Sequence, residues 1–364
     1  MGWRPLIVEP GERARIEAVI AELVPRAPAT TVNEAIGEAL VRAYLAELVP
    51  DRDDASGTAL AAAVSLATAG TSPALFGGAA GAGWAVAHLA DGDAADAACA
   101  AIDDALARLL DAGWTGDHDL VSGLTGFAVY ALERGEPARA LAQRILGELA
   151  RSARPVGGGL AWHTAPALLA PADRAEAPDG CWNLGMAHGT PGTIAVLARF
   201  HDAPGAYELL AGAVAYLLAA EPARPDGRYP AWHPESGDRA RLAWCYGDLG
   251  VSLALLAAAD ACGRADWRAE ALALAHGCAR RDAISDGVAL CHGAAGIAHL
   301  FTRLWNATGD DELAGAAGRW IARALALPRD GLDGTVLNGT AGLALALHAM
   351  ISTVEPGWGR LLAI

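Results

Sequence analysis

The sequence predicts an all-α fold: an α/α toroid of six to seven helical hairpins, with apolar inner helices and amphipathic outer ones. Three observations predict it. Alanine and leucine dominate a chain that is 53% hydrophobic, and β-branched residues are sparse, which favours helix over strand. A Gly-x-x-Gly pattern followed by an apolar run recurs six times. Amphipathic stretches alternate with those runs, as outer helices alternate with buried ones.

In chain order, residues 1–70 read as N-terminal helices without the repeat mark, and residues 71–364 as glycine-loop repeats of the same single domain, 1–364. The start, MGWRPLIVEPGER, has no apolar stretch and no cleavage site, so it does not read as a secretory signal. The long apolar stretch GTALAAAVSLATAGTSPALFGGAAGAGWAVAHLA is cut by glycines and Pro73 into two short helices rather than one membrane span. The repeats follow: FGGAAGAGWAVAHLA, VSGLTGFAVYAL, AHGTPGTIAVLARF, CYGDLGVSLALLAAA, CHGAAGIAHLFTRL and LNGTAGLALALHAM. Their first template glycines are Gly78, Gly123, Gly189, Gly247, Gly293 and Gly339, separated by 45, 66, 58, 46 and 46 residues. A unit of about 45 residues holds two helices and their loops. Between the apolar runs lie DAADAACAAIDDALARLLDAG, EPARALAQRILGELARSA and DDELAGAAGRWIARALAL, whose charges recur on one side. The second and third intervals carry extra material rich in Pro, Gly, Trp and charge, RPVGGGLAWHTAPALLAPADRAEAPDGCWN and EPARPDGRYPAWHPESGDRARLAW. They read as long loops over one face, and long loops in compact domains are usually functional. An open solenoid is the alternative to closure, but it needs polar caps at both ends.

The formal net charge of −15 argues against nucleic acid as a partner, because such a partner calls for a basic surface. Six cysteines in 364 residues are too few for a disulfide scaffold. Without an export signal a cytoplasmic location with reduced thiols is expected, where a cysteine–histidine cluster points to metal or catalysis. GGAAGAG (77–83) resembles a phosphate loop only superficially: no strand is expected before it and no GK[ST] follows.

In a toroid every inner helix starts at the same end, so the glycine loops converge and residues at one template position meet. Two places before the first glycine stand Phe76, Val121, Ala187, Cys245, Cys291 and Leu337, and one place before it Gly77, Ser122, His188, Tyr246, His292 and Asn338. Metal-capable residues fall in three consecutive units, and the two cysteines share a column. Cys245, Cys291 and His292 therefore form a candidate zinc site of two thiolates and one imidazole with an open position, the catalytic rather than the closed structural form. On a helix Cys291 and His292 would point about 100° apart, so both reach one metal only from irregular backbone. The bland alternative is that the cysteines are small buried apolar residues at a helix start. Two thiolates cancel the charge of Zn²⁺, which suits thiol alkylation better than water activation. His188, in the column of His292, is a candidate acid or base, or a loop histidine bonded to backbone. Asp119, four before Gly123, is a cap or a catalytic group. Arg241, four before Cys245, is a rim charge beside Arg239 or a site residue. Trp244 and Tyr246 flank Cys245 and either line the cavity and bind substrate or pack. Cys99, Cys181, Cys262, Cys278, His276 and His299 fit no column and read as structural.

WCYGDLG, CHGAAG and GMAHGTPG resemble the lanthionine synthetase C-like proteins, the cyclases of class I lanthipeptide biosynthesis, and the resemblance runs from about Gly77 to the C-terminus. It implies an α/α barrel with one zinc held by Cys245, Cys291 and His292, and an active-site histidine, aspartate and arginine at His188, Asp119 and Arg241. It further implies Michael addition of peptide cysteine thiolates to dehydroalanine or dehydrobutyrine, giving (methyl)lanthionine thioether rings. The implied substrate is a dehydrated precursor peptide, and the implied associates are a dehydratase and a transporter in a membrane-associated complex. No interval has room for the β-rich insertion that meets the leader peptide in some members. The rival readings are a prenyltransferase-like zinc enzyme, a homologue that binds glutathione or thiol peptides without cyclising them, and glutathione addition to dehydrated residues.

Overall fold

The computed structural model describes residues 2–24, 28–48, 55–67, 72–220, 229–233, 241–281 and 287–364. Most of the extra material of the third interval, with Arg239, lies outside them. The helices are α1 (Pro10–Leu23), α2 (Val32–Tyr44), α3 (Ala55–Leu66), α4 (Ala79–Leu89), α5 (Asp93–Asp111), α6 (Leu124–Arg134), α7 (Arg139–Ser152), α8 (Pro171–Glu176), α9 (Thr190–Arg199), α10 (Ala206–Ala219), α11 (Asp248–Cys262), α12 (Ala265–Ala279), α13 (Ala294–Thr308), α14 (Asp311–Ala326) and α15 (Thr340–Ile351). Beside them lie short 3-10 turns and four short strands: β1 (Arg154–Val156), β2 (Gly159–Ala161), β3 (Trp182–Asn183) and β4 (Trp232–His233). No described helix is long and apolar enough to cross a membrane. The chain divides into two compact units, Met1–Ala100 with Asp282–Gly359, and Ala101–Arg281 with Arg360–Ile364.

In the first unit α4, α2, α15 and α13 stand side by side in that order, with α3 packed on α2, α14 on α13 and α1 on α15. The last inner helix thus takes its outer partner from the N-terminus. Ile7 N donates to Met350 O (2.9 Å), and the Trp3 indole donates to Ala349 O (2.9 Å). Helix α2 is the inner helix that the sequence leaves unmarked. It starts on a capping box instead of a glycine loop: Glu34 N donates to Thr31 Oγ1 and Thr31 N to the Glu34 carboxylate.

In the second unit α6, α9 and α11 stand side by side, backed by α7, α10 and α12 respectively. The apolar runs bury themselves all round: every residue of α11 from Asp248 to Leu256 is buried. The outer helix α7 buries only one stripe, Leu141, Ile145 and Leu149 with their neighbours, and leaves its charges outside. Hairpin β1–β2 was not foreseen in the interval read as loop. Its signal is the glycine run after Val156: Gly157 and Gly158 have φ of 58° and 82°, the left-handed pair that a tight hairpin turn requires.

Candidate active site and metal cluster

The six glycine loops run into their helices through one kind of backbone cap. In every case the first template glycine is the N-cap and brings no side chain to it. A helix leaves its first N–H groups without intrahelical partners. Before α4, α6, α13 and α15, carbonyls seven residues back accept them. Leu124, Thr125 and Gly126 donate to Asp117, His118 and Asp119; Ala294 and Ala295 donate to Gly287 and Val288; Thr340 and Gly342 donate to Asp333 and Thr335. The loop lies so close to the helix start that a Cβ at the second glycine would sit 1.9 Å from Leu75 O at Gly81, 1.8 Å from Leu290 O at Gly296 and 1.7 Å from Val336 O at Gly342. This close approach, not a left-handed backbone, accounts for the second glycine of the motif. Gly247 adds the other constraint, with φ at 99°.

Neighbouring loops are stitched along their columns. Within the second unit Leu120 N donates to Ala187 O (3.1 Å) and Ala187 N to Cys245 O (3.2 Å); within the first, Cys291 N donates to Leu337 O (2.8 Å). The partners Ala187 and Cys245, and Cys291 and Leu337, are column-mates two places before the first glycine.

Asp119 is buried and holds His188, whose Nδ1–H donates to Oδ2 at 2.5 Å. The other carboxylate oxygen accepts from Ser122 N (2.7 Å) and Ser122 Oγ (3.1 Å). Burial works against the Asp119 carboxylate, yet the bond to His188 and its charge, with the Ser122 N–H, hold its pKa below the ordinary aspartate value. Partial desolvation works against the His188 imidazolium, yet the Asp119 bond and charge, with the charges of Asp117 and Cys245, hold its pKa above the ordinary histidine value. With Nδ1 engaged by Asp119, 41% of the His188 side-chain surface stays accessible.

Tyr246 stacks on His188, with ring centroids 6.1 Å apart, and its hydroxyl accepts from Asn183 Nδ2 at 3.2 Å. Burial above all keeps its phenol un-ionised. Trp244 is 1% exposed and its indole donates to Leu362 O at 3.1 Å, which is the packing role of the two left open for it rather than that of a substrate contact. Arg241 is exposed at the start of its loop, with its carbonyl against the Cβ position of Gly247.

Cys245 and Cys291 are buried, 7% and 8% exposed, and His292 is half-buried. Their ligand atoms all lie within 4.8 Å of one another, a group that could hold a metal ion. Tetrahedral zinc with bonds of about 2.0–2.3 Å sets neighbouring donors about 3.7 Å apart, so the donor set fits that ion. Cys181 stays outside the cluster; burial foremost, then the charges of Asp117 and Asp173, push its thiol up to about 12. Cys99 is core, its thiol directed at Gly83 O (3.7 Å).

The columns two, one and four places before the first glycine do not exhaust the loops. Six places before it stand Ser72, Asp117, Asn183, Arg241, Gly287 and Asp333. Asp117 faces His118 Nδ1 at 2.8 Å and accepts from Thr164 Oγ1 at 3.2 Å, while Asn183 reaches Tyr246. Asp117, His118, Thr164 and Asn183 went unread in the sequence, and this column, polar in every loop except that of Gly287, is the signal that could have found two of them.

Residues 30–362 match the sequence profile of the family described as "Lanthionine synthetase C-like protein". Among solved structures the chain is similar to nisin cyclase, with 18% identity, a TM-score of 0.80 and 98% of each chain covered. At that identity the likeness shows the fold, and it bears out the α/α toroid expected from the repeats. No curated protein sequence matches the chain significantly.

Proposed function

From the premise that this chain belongs to the lanthionine synthetase C-like family, we propose that it is a zinc-dependent lanthipeptide cyclase, forming (methyl)lanthionine rings in a dehydrated precursor peptide. The observation that carries the reading is the Cys245, Cys291 and His292 cluster, three side chains that could hold a metal ion; a tetrahedral zinc on three protein donors would keep one position for substrate. Zinc bound there would keep a substrate thiol deprotonated near neutral pH and oriented.

The remaining chemistry falls to side chains. The peptide thiolate forms a C–S bond to the β-carbon of dehydroalanine or dehydrobutyrine, and the alkene electron pair moves toward Cα and its carbonyl. A proton must then arrive at Cα. His188 is the donor through Nε2; Asp119, bonded to Nδ1, favours the protonated ring and fixes its orientation. The proton lost by the thiol balances the one delivered, so no co-reactant is consumed. Arg241, exposed at its loop, would stabilise the enolate oxygen. Tyr246 would line the site over His188. Since the alkene is already electrophilic, most of the acceleration is positioning. A dehydratase is the natural supplier of the substrate, and a cytoplasmic place beside it and an exporter is the expected setting.

The test is metal content beside activity. Freshly purified protein should carry one zinc per chain by elemental analysis. Cys291→Ala and His292→Ala should lose the zinc, whereas His188→Ala should keep it and lose ring formation on a dehydrated peptide. Metal-free wild-type protein would sink the zinc reading, and equal zinc loss in all three variants would sink the division of roles.

A further inference from the structure

The interval between α7 and α9 is the longest of the repeat, with 66 residues between Gly123 and Gly189, and the chemistry above does not use it. It buries two polar side chains, Thr164 at 3% exposure and Asn183 at 4%. Buried polar groups find partners, so the identity of the partners is informative. Thr164 Oγ1 donates to Asp117 Oδ1 (3.2 Å), the oxygen that also accepts from His118 N (2.7 Å). Asp117 opens the loop that carries Asp119: its carbonyl accepts Leu124 N (3.3 Å) and stands 2.2 Å from where a Cβ of Gly123 would be. At the other end, Asn183 Oδ1 accepts Gly185 N (2.9 Å), which leaves Nδ2 for the hydroxyl of Tyr246, the ring stacked on His188.

Between these ends the segment is stiff. Thr164 and Cys181 exchange backbone hydrogen bonds in both directions (2.9 and 3.1 Å), and His163 meets Trp182 edge to face at 4.9 Å. Thr164 and Asn183 are thus two ends of one short bridged segment. One end grips the loop of Asp119 and the other grips the ring over His188.

We propose that Thr164 and Asn183 are positioning residues that jointly set the geometry of the Asp119–His188 pair, Thr164 through Asp117 and Asn183 through Tyr246. The proposal rests on reading that pair as the acid–base group of a cyclase. A hydrogen bond between acid and imidazole tolerates little displacement, and a slip of about 1 Å in a catalytic group costs about a hundredfold in rate.

The experiment compares Thr164→Val, Thr164→Ser and Asn183→Ala in the full-length zinc protein. Three quantities are read: the kinetics of ring formation on a dehydrated peptide, zinc content, and the His188 Nδ1–H proton resonance, assigned by its loss in His188→Ala. Valine keeps the shape of Thr164 and leaves Asp117 its His118 contacts, so the fold should survive. Thr164→Val and Asn183→Ala should each lower kcat about tenfold with KM within about twofold, keep zinc and shift the His188 proton. Thr164→Ser should restore the hydroxyl and stay within about twofold of wild type. Thr164→Val at wild-type kcat, an unmoved His188 proton, or Thr164→Ser as impaired as Thr164→Val would overturn the proposal. Wild-type protein that forms no rings would instead sink the cyclase reading, and the resonance would then decide the positioning role alone.

Discussion

The loop before α6 and the loop before α15 share a frame and differ in use. Both open with an aspartate six places before the first glycine, and both cap their helix with carbonyls seven residues back. In the loop before α15, Asp333 is exposed, and its carboxylate serves a local turn, accepting from Thr335 N (2.8 Å) and Thr335 Oγ1 (2.6 Å). In the loop before α6, Asp117 reaches out of its own loop to Thr164, and Asp119, the counterpart of Thr335, holds His188. Because the cap is made by backbone and glycine, the side chains between the anchors can change without unmaking it. One frame can therefore carry chemistry in one repeat and only a turn in another.

The largest effect should be shared by the two loops. A Cβ at Gly123 would come 2.2 Å from Asp117 O, and one at Gly339 2.4 Å from Thr335 N. Gly123→Ala and Gly339→Ala should each destabilise the protein by about 3 kcal/mol or more, measured by denaturant unfolding. If either alanine were tolerated, the two frames would not be equivalent. The next effect should separate the loops. Asp119→Asn should slow ring formation about a hundredfold or more with zinc retained. A rate close to wild type would reduce Asp119 to a cap.

A smaller effect is the pH dependence of the same pair. His188 has a raised folded pKa, so its stabilisation is full below the ordinary value of 6.5 and fades as pH rises through the folded value. Asp119 has a lowered one, so its stabilisation is full above the ordinary 3.8 and fades as pH falls through the folded value. The stability difference between wild type and Asp119→Asn should therefore be greatest between about pH 4 and pH 6.5 and shrink on both sides. A difference independent of pH would mean that no ion pair is present. The rate, if His188 must be protonated, should fall as pH rises through its folded pKa. The smallest effect belongs to the other loop: Asp333→Asn should leave the rate unchanged and cost less than about 1 kcal/mol. A slowed reaction there would show that Asp333 does more than hold a turn.

The glycine spacing makes much of this legible in the sequence. Gly81, Gly296 and Gly342 recur because no larger residue fits against the loop carbonyl, and a steric demand of that kind is written into composition. The alternation of α11-like buried helices with α7-like striped ones was legible for the same reason, since burial selects residue type directly. Cys245, Cys291 and His292 could be aligned because the repeat numbers them alike. Other features were illegible. Helix α1 packs on α15 across most of the chain length, and nothing in either segment names the other. The pairs Thr164–Asp117 and Asn183–Tyr246 join ordinary polar residues 47 and 63 positions apart. Trp244 could line a cavity or fill a core, and only its burial and its bond to Leu362 O choose between them.

By itself the sequence determined the helical repeat, the sites of the glycine loops and the residue types available for the chemistry. These follow from local sterics and from the periodicity of apolar side chains. Only the tertiary structure decided which of those residues touch. It set Asp119 against His188, brought two thiols and an imidazole within 4.8 Å of one another, and passed over Asp333 and Cys181, which carry the same functional groups. A contact between distant positions depends on how the loops pack, and no single position along the chain encodes it.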